Sequence, residues 1–247
     1  MMCGRYALET PPEGLKQLLP FANSPNFPAS YNIAPSHPVP IIRDSALING
    51  AGQHECARLQ WGLVPGWMKA EKIAEMSSRP QINARSETVT EKPFFKSAFK
   101  SRRCLFPADA FYEWKRSSKA KNQPYCIRRQ DELPFMMAGI WEFWQGADGS
   151  EIETCAILTV AANETLTPIH NRMPVILEAT HLADWLDTPA AKSESLLPLL
   201  VPAPEKDFKF YPVSDAVNKV ANNAPDLLAA VPEIENKDQQ NAQFDLF

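Results

Sequence analysis

Short apolar runs recur along this chain, at Val39 to Ile42, Cys56 to Trp61, Tyr125 to Arg128, Phe135 to Trp144 and Cys155 to Val160, and hydrophilic turns such as Gly146-Ala147-Asp148-Gly149 separate them. Runs of this length between turn signals read as β-strands. Helical signals are few and short. Thr10-Pro11-Pro12-Glu13 reads as an N-cap and capping box ahead of Leu15, Leu18 and Leu19, with Pro20 as the stop. Phe94, Phe95 and Phe99 alternate with Lys96 and Lys100 as a short helix with an aromatic inner face. Thr180 reads as the N-cap of a helix carrying Leu182, Trp185 and Leu186, and a second apolar helical segment spans Glu194 to Leu200. Residues 21 to 40, with Tyr31-Asn32-Ile33-Ala34-Pro35, read as irregular. Tyr211 to Ser214 reads as extended, and Asn218 to Asn223 as polar. No repeat or composition shift marks a domain boundary before about Ala229, and 229 to 242 read as a disordered tail.

With 247 residues and 45% of them apolar, the chain has the material for a full core. It carries no basic leader ahead of an apolar run and no apolar stretch of membrane-spanning length, which predicts a soluble, cytoplasmic protein. The five cysteines, Cys3, Cys56, Cys104, Cys126 and Cys155, are scattered without C-x-x-C spacing and read as reduced thiols with no zinc. The net charge of -4 hides a segregation: Arg85 to Arg129 hold twelve Lys or Arg against four Asp or Glu. Such a run is either solvated charge or a surface for a polyanion.

Four places carry candidate chemistry. Cys3, once Met1 and Met2 are removed, presents an amine and a thiol on adjacent carbons, a pair that condenses with an aldehyde to a thiazolidine. Ordinary pKa values of about 7.7 to 8.0 for the amine and about 8.5 for the thiol leave both usable near pH 7. The competing reading is a small buried cysteine. Trp61-Gly62-Leu63-Val64-Pro65-Gly66-Trp67 is either a platform on which bases stack or a pair of core aromatics under a loop. Glu113, in Phe111-Tyr112-Glu113-Trp114, is either desolvated and suited to proton transfer or a partly exposed strand residue. His170, in Ile169-His170-Asn171-Arg172-Met173-Pro174, lies beside an arginine at the mouth of an apolar run, where a histidine is either a site residue or one satisfied by local backbone.

Taken in order, Cys3-Gly4-Arg5, Asn32-Ile33-Ala34-Pro35, Trp61-Gly62 with Pro65-Gly66-Trp67, Asn83-Ala84-Arg85-Ser86-Glu87-Thr88, Phe111-Tyr112-Glu113-Trp114, Ile169 to Pro174 and Pro212-Val213-Ser214 resemble the SRAP domain family of abasic-site processing proteins, from Cys3 to about Asn223. The resemblance implies an α+β single domain at 3 to 228, with a twisted, mainly antiparallel, barrel-like β core and flanking helices. It implies covalent capture of the ring-opened abasic-site aldehyde in single-stranded DNA, with weak lyase activity as a secondary outcome, no cofactor and no metal. Cys3 would be the nucleophile, Asn83 would hydrogen-bond the thiazolidine or amine, Glu113 would handle protons at the Schiff base, and His170 would assist opening of the sugar. Gly4, Arg5, Pro35, Trp67, Arg85, Trp114 and Arg172 would contact DNA, the three arginines at phosphates and the two tryptophans by stacking.

Two features depart from the family pattern. The doubled methionine blocks the Cys3 amine until both residues are gone, and Met68 follows Trp67 where relatives carry a second tryptophan. Gln243-Phe244-Asp245-Leu246-Phe247 is similar to the peptide by which bacterial proteins dock on the replication sliding clamp, through Gln243, Phe244, Leu246 and Phe247. The expected partners are therefore abasic single-stranded DNA and the clamp, with the protein a monomer that joins the nucleoid when on DNA. The competing functions are an amino-terminal-nucleophile cysteine peptidase and a non-covalent single-strand binder.

Overall fold

The longest apolar runs form the wall of a closed barrel. The structure, a computed structural model, describes residues 3–23, 25–45, 53–116 and 122–233. Its strands are β1 (Tyr6–Leu8), β2 (Ser30–Ile33), β3 (Pro38–Asp44), β4 (His54–Trp61), β5 (Asn83–Arg85), β6 (Arg103–Ala108), β7 (Ala110–Lys115), β8 (Gln123–Arg129), β9 (Phe135–Gln145), β10 (Glu151–Ala161), β11 (Arg172–Pro174), β12 (Ile176–Leu177) and β13 (Phe208–Pro212). Antiparallel pairs β4–β3, β3–β6, β6–β9 and β9–β10 are closed by a short parallel pair, Thr154 with Gln60 and Cys155 with Trp61, which makes a ring of five strands. Closure removes the free edges that short strands would otherwise expose. Inside lie Tyr6, Trp61 and Phe106, with Tyr6 edge-on to Trp61 at 5.4 Å. At Gly139 of β9 a Cβ would stand 2.3 Å from the Phe106 ring, so only glycine admits that ring.

Both long strands outrun the barrel. Past its pairing with β4, β10 takes β5 in parallel on one edge and β11 antiparallel on the other, so Thr159 faces Arg85 and Pro174 at once. A second sheet runs β13-β8-β7-β1-β2. The chain crosses from barrel to sheet between β6 and β7, where only Asp109 intervenes. Its buried carboxylate accepts hydrogen bonds from the Glu9 and Thr10 backbone N–H groups and the Thr10 hydroxyl. Thr10 therefore does not cap α1 (Pro12–Leu18), whose N-cap is Pro11. A carboxyl oxygen pair already held by two backbone N–H donors outcompetes a capping bond for that hydroxyl.

The remaining helices are α2 (Ala70–Ser77), α3 (Lys96–Ser101) and α4 (Leu182–Asp187). Thr180 lies inside a 3₁₀ turn, Ala179–His181, that leads into α4, and His181 takes the cap position. Residues Ala190–Leu199 are helical in the tighter 3₁₀ form, with Pro198 inside. The stretch around Tyr31 is not wholly irregular, because β2 forms on the edge of the second sheet: Tyr6 pairs with Ile33, and Leu8 with Ser30. Residues 229–233 are likewise ordered. Ala230 bridges Val213, and Glu233 accepts from Lys115 at 2.7 Å and from the Tyr125 hydroxyl at 2.5 Å. Residues 234–247, including the clamp-like peptide, lie outside the described residues. The architecture is mixed α+β with the barrel as its core, as the resemblance implied.

Four arginines of the basic segment are tied up within the protein. Arg103 is buried and donates to the backbone carbonyls of Phe99, Lys100, Trp185 and Thr188, tying α3 to α4. Arg102 pairs with Glu142, Arg128 with Glu9 and Arg129 with Asp131. No helix among the described residues is long and apolar enough to cross a membrane.

Candidate active site

The segment before β1 runs antiparallel to β7, with the Tyr112 N–H bonded to the Arg5 carbonyl, and this delivers Cys3 to Glu113. Along β7 the side chains alternate. Ala110 and Tyr112 join the small apolar cluster of the outer face, whereas Phe111 points into the main core. Glu113 shares the inward face with Phe111 by the two-residue period. The backbone nitrogen of Cys3 donates to Glu113 Oε1 at 2.8 Å, and both residues are 3% exposed. Cys3 holds a φ of 34°, a left-handed conformation that L residues enter at some cost.

Burial raises the Glu113 carboxyl above the ordinary carboxylate range, while His170 and the Cys3 nitrogen draw it back down. The Cys3 thiol is pushed well up, first by burial and then by the Glu113 charge it is hydrogen-bonded to, with Arg172 opposing. This differs from an unaided thiolate at pH 7: the thiol is a neutral donor whose proton has one neighbouring acceptor in Glu113. His170 precedes β11, and its Nδ1 accepts the Arg172 N–H at 3.1 Å. The same Nδ1 lies 3.3 Å from the Arg172 carbonyl oxygen. The local backbone bond expected of a bland histidine is present, on a histidine that also faces Glu113.

Asn83 opens β5 opposite Ile157, and Arg85 closes it opposite Thr159. Arg85 is exposed. Arg172 reaches across to Glu87, with its Nη1 on Oε1 at 2.5 Å and Nη2 on Oε2 at 2.9 Å, and Nη2 also donates to the Thr159 carbonyl at 2.5 Å. Arg5 donates to Asn32 Oδ1 at 2.7 Å and to the Val217 carbonyl at 2.6 Å, and its guanidinium lies 5.9 Å from the Trp114 ring centre. Trp114 is half-buried and donates to Asn218. Gly4 and Pro35 are partly exposed around this rim.

The two tryptophans of the loop separate. Trp61 is fully buried in the barrel core, its Nε1 donating to the Ile82 carbonyl, so it offers no platform. Trp67 is 62% exposed and stands edge-on to Phe94. The loop is anchored through Val64, whose N–H donates to Thr154, and Met68, whose carbonyl accepts from Trp144. Thr154 lies five residues from Thr159 along β10, ~17 Å at the strand rise.

Three residues escaped the sequence reading. Asn32, buried, receives Arg5 and donates to the carbonyls of Val217, Lys219 and Asn222, tying the start of the chain to a segment 185 or more residues away. Glu87 and Thr159 hold Arg172. Asn32 and Glu87 stand inside motifs that were visible, but nothing local announces their partners. Among the described residues no three His, Cys, Asp or Glu side chains gather as a metal site requires, and all five thiols are free and buried.

This is an α+β barrel protein whose rim buries a cysteine against a carboxylate beside a half-buried histidine. The model of the SOS response associated peptidase (SRAP) family matches residues 2–220, and the chain belongs to that family. It is 38% identical over 232 residues to the abasic site processing protein YoaM of Bacillus subtilis, covering 93% of this chain and 98% of the relative. To abasic site processing protein HMCES of Xenopus tropicalis it is 29% identical over 267 residues, covering 93% of this chain and 78% of the relative. A crystal structure of a Bacteroides thetaiotaomicron protein superposes with a TM-score of 0.82 at 25% identity, covering 93% of this chain and all of that one.

Proposed function

We propose that the protein captures abasic sites in single-stranded DNA by closing Cys3 onto the deoxyribose aldehyde as a thiazolidine. The observation that carries this reading is that one buried carboxylate, Glu113, meets both the nitrogen and the thiol of Cys3. Removal of Met1 and Met2 turns that nitrogen into an α-amine. The amine adds to the aldehyde carbon, and water leaves to give an imine; the thiol then adds to the same carbon while its proton ends on the nitrogen. The net loss is one water. Glu113, with its raised pKa, is suited to take the ammonium and thiol protons and return them to the departing hydroxyl and the imine nitrogen. His170 assists opening of the sugar at its ring oxygen, and Asn83 holds the amine. Placing the aldehyde beside both nucleophiles makes closure unimolecular, with effective molarities of about 10⁵ M or more available.

The names of the relatives support this substrate. A peptidase reading meets an obstacle: attack on an amide develops an oxyanion, and the group facing Cys3 is a carboxylate, which repels one. Opening of the imine by β-elimination would give the lyase outcome. Trp67 and Trp114 would stack on neighbouring bases, and extruding a nucleotide without a base costs less than flipping an intact one.

The test is an SDS-resistant adduct on a single-stranded oligonucleotide with one abasic site, beside the same oligonucleotide carrying a tetrahydrofuran in its place. Adduct is expected on the aldehyde-bearing strand alone; equal adduct on both would mean that the aldehyde is not the electrophile. The same reading assigns Gln243 to Phe247 to the sliding clamp. Their deletion is expected to abolish clamp binding measured by surface plasmon resonance, and unchanged affinity would remove that assignment.

A further inference from the structure

Helix α3 and the 3₁₀ run Ala190–Leu199 face each other across a cavity of about 500 Å³. That volume lies within the range of small-molecule sites, about 300 to 1,000 Å³. None of the residues gathered around Cys3 lines it. Its two walls are clipped together by the buried Arg103, which donates to the Phe99 and Lys100 carbonyls of α3 and to the Trp185 and Thr188 carbonyls just ahead of the 3₁₀ run. The lining is rich in donors that have no acceptor in the protein. Lys96 and Lys100 stand one turn apart on α3, where like charges destabilise a helix, and neither forms an ion pair among the described residues. Ser193 is 6% exposed, yet its hydroxyl hydrogen-bonds no described residue, and buried polar groups are nearly always paired. The Thr90 hydroxyl likewise bonds none. Phe99 gives the cavity an apolar surface, and Glu194 on the facing wall is the one carboxylate among the lining residues and pairs with neither lysine.

We propose that this cavity binds a small phosphate monoester, with the phosphate between Lys96 and Lys100 accepting hydrogen bonds from the Thr90 and Ser193 hydroxyls, and the organic part against Phe99. A monoester carries a charge of about −1.5 to −2 at pH 7, which matches two ammonium groups and relieves their mutual repulsion. Lysine serves such a ligand as a compact point charge. Glu194 disfavours a second anionic group at its side of the cavity and accepts from hydroxyl or amino donors, which points to a sugar or nucleoside ester rather than a polyphosphate. The site is separate from the capture reading and stands or falls without it.

Isothermal titration calorimetry of the full chain tests this with adenosine monophosphate and glycerol 3-phosphate, beside adenosine and glycerol as the same molecules without phosphate. At least one of the two esters is expected to bind with a Kd on the order of 1 mM or tighter, and its phosphate-free counterpart not to bind. Lys96 and Lys100 are exposed, so their joint replacement by glutamine leaves the core intact. That double variant is expected to weaken the ester by at least about tenfold, and Ser193→Ala by about two- to tenfold. Replacing Lys72 and Lys206, two exposed lysines outside the cavity, by glutamine is expected to change nothing. Binding of neither ester overturns the proposal, as does equal binding of ester and phosphate-free counterpart. Equal weakening in the two lysine pairs would mean attraction to charge at large and would also overturn it. If an undamaged single-stranded oligonucleotide displaces the ester and loses affinity in the Lys96 and Lys100 variant, the cavity belongs to the DNA path and the small-ligand assignment is wrong.

Discussion

Replacing Glu113 by glutamine is expected to slow adduct formation by about 10² to 10⁴-fold, the usual range for a positioned general acid and base, while raising the melting temperature at pH 7. Glutamine keeps an oxygen for the Cys3 nitrogen but moves no proton. The stability gain follows from the buried carboxyl, whose pKa is raised in the folded state above its unfolded value of about 4.3. A raised folded value means that the folded protein holds the proton more tightly, so stability is highest below the unfolded pKa and falls as pH climbs through the folded one. The variant, which cannot ionise, escapes that loss. Its advantage should therefore be present at neutral pH and disappear below about pH 4, where the wild-type group is protonated in both states. Thermal melts at pH 4 and pH 7 beside capture rates check both halves. A slower variant with no stability gain at pH 7 would mean that Glu113 is not the strained, desolvated group described here.

Cys3→Ala separates the two nucleophiles. Alanine keeps the α-amine once the methionines are gone and loses only the thiol, so an imine forms but does not close. The stable adduct is expected to vanish, while borohydride still traps a covalent product and affinity for intact single-stranded DNA stays within about twofold, since that affinity rests on phosphate and stacking contacts elsewhere. With nothing to protect the imine, strand cleavage by β-elimination should rise. Heat-stable adduct persisting in Cys3→Ala would place the covalent bond on another residue.

The parts of this account that were legible in the sequence are those whose signal is local. Short apolar runs bounded by turns marked β3, β4, β8, β9 and β10, and a glutamate between aromatics offered desolvation as one of two readings of Glu113. What was not legible depends on partners far away in the chain. Thr10 had every local feature of an N-cap, but Asp109, 99 residues on, takes its hydroxyl. Tyr31 to Ile33 looked irregular because its strand character comes from pairing with β1 rather than from its own composition. Arg103 read as part of a basic surface and is instead a buried tie between α3 and α4, a role that its type alone does not distinguish from a solvated charge. Likewise the free thiol looked usable near pH 7 until burial and the neighbouring carboxylate were known.

The central claim is that Cys3, with its amine free, closes on the aldehyde. The most direct measurement is the intact mass of the full chain before and after mixing with a single-stranded oligonucleotide bearing one abasic site. The account predicts a protein whose mass begins at Cys3 and then increases by that of the oligonucleotide less one water. A protein that begins at Cys3 and gains no mass would contradict it.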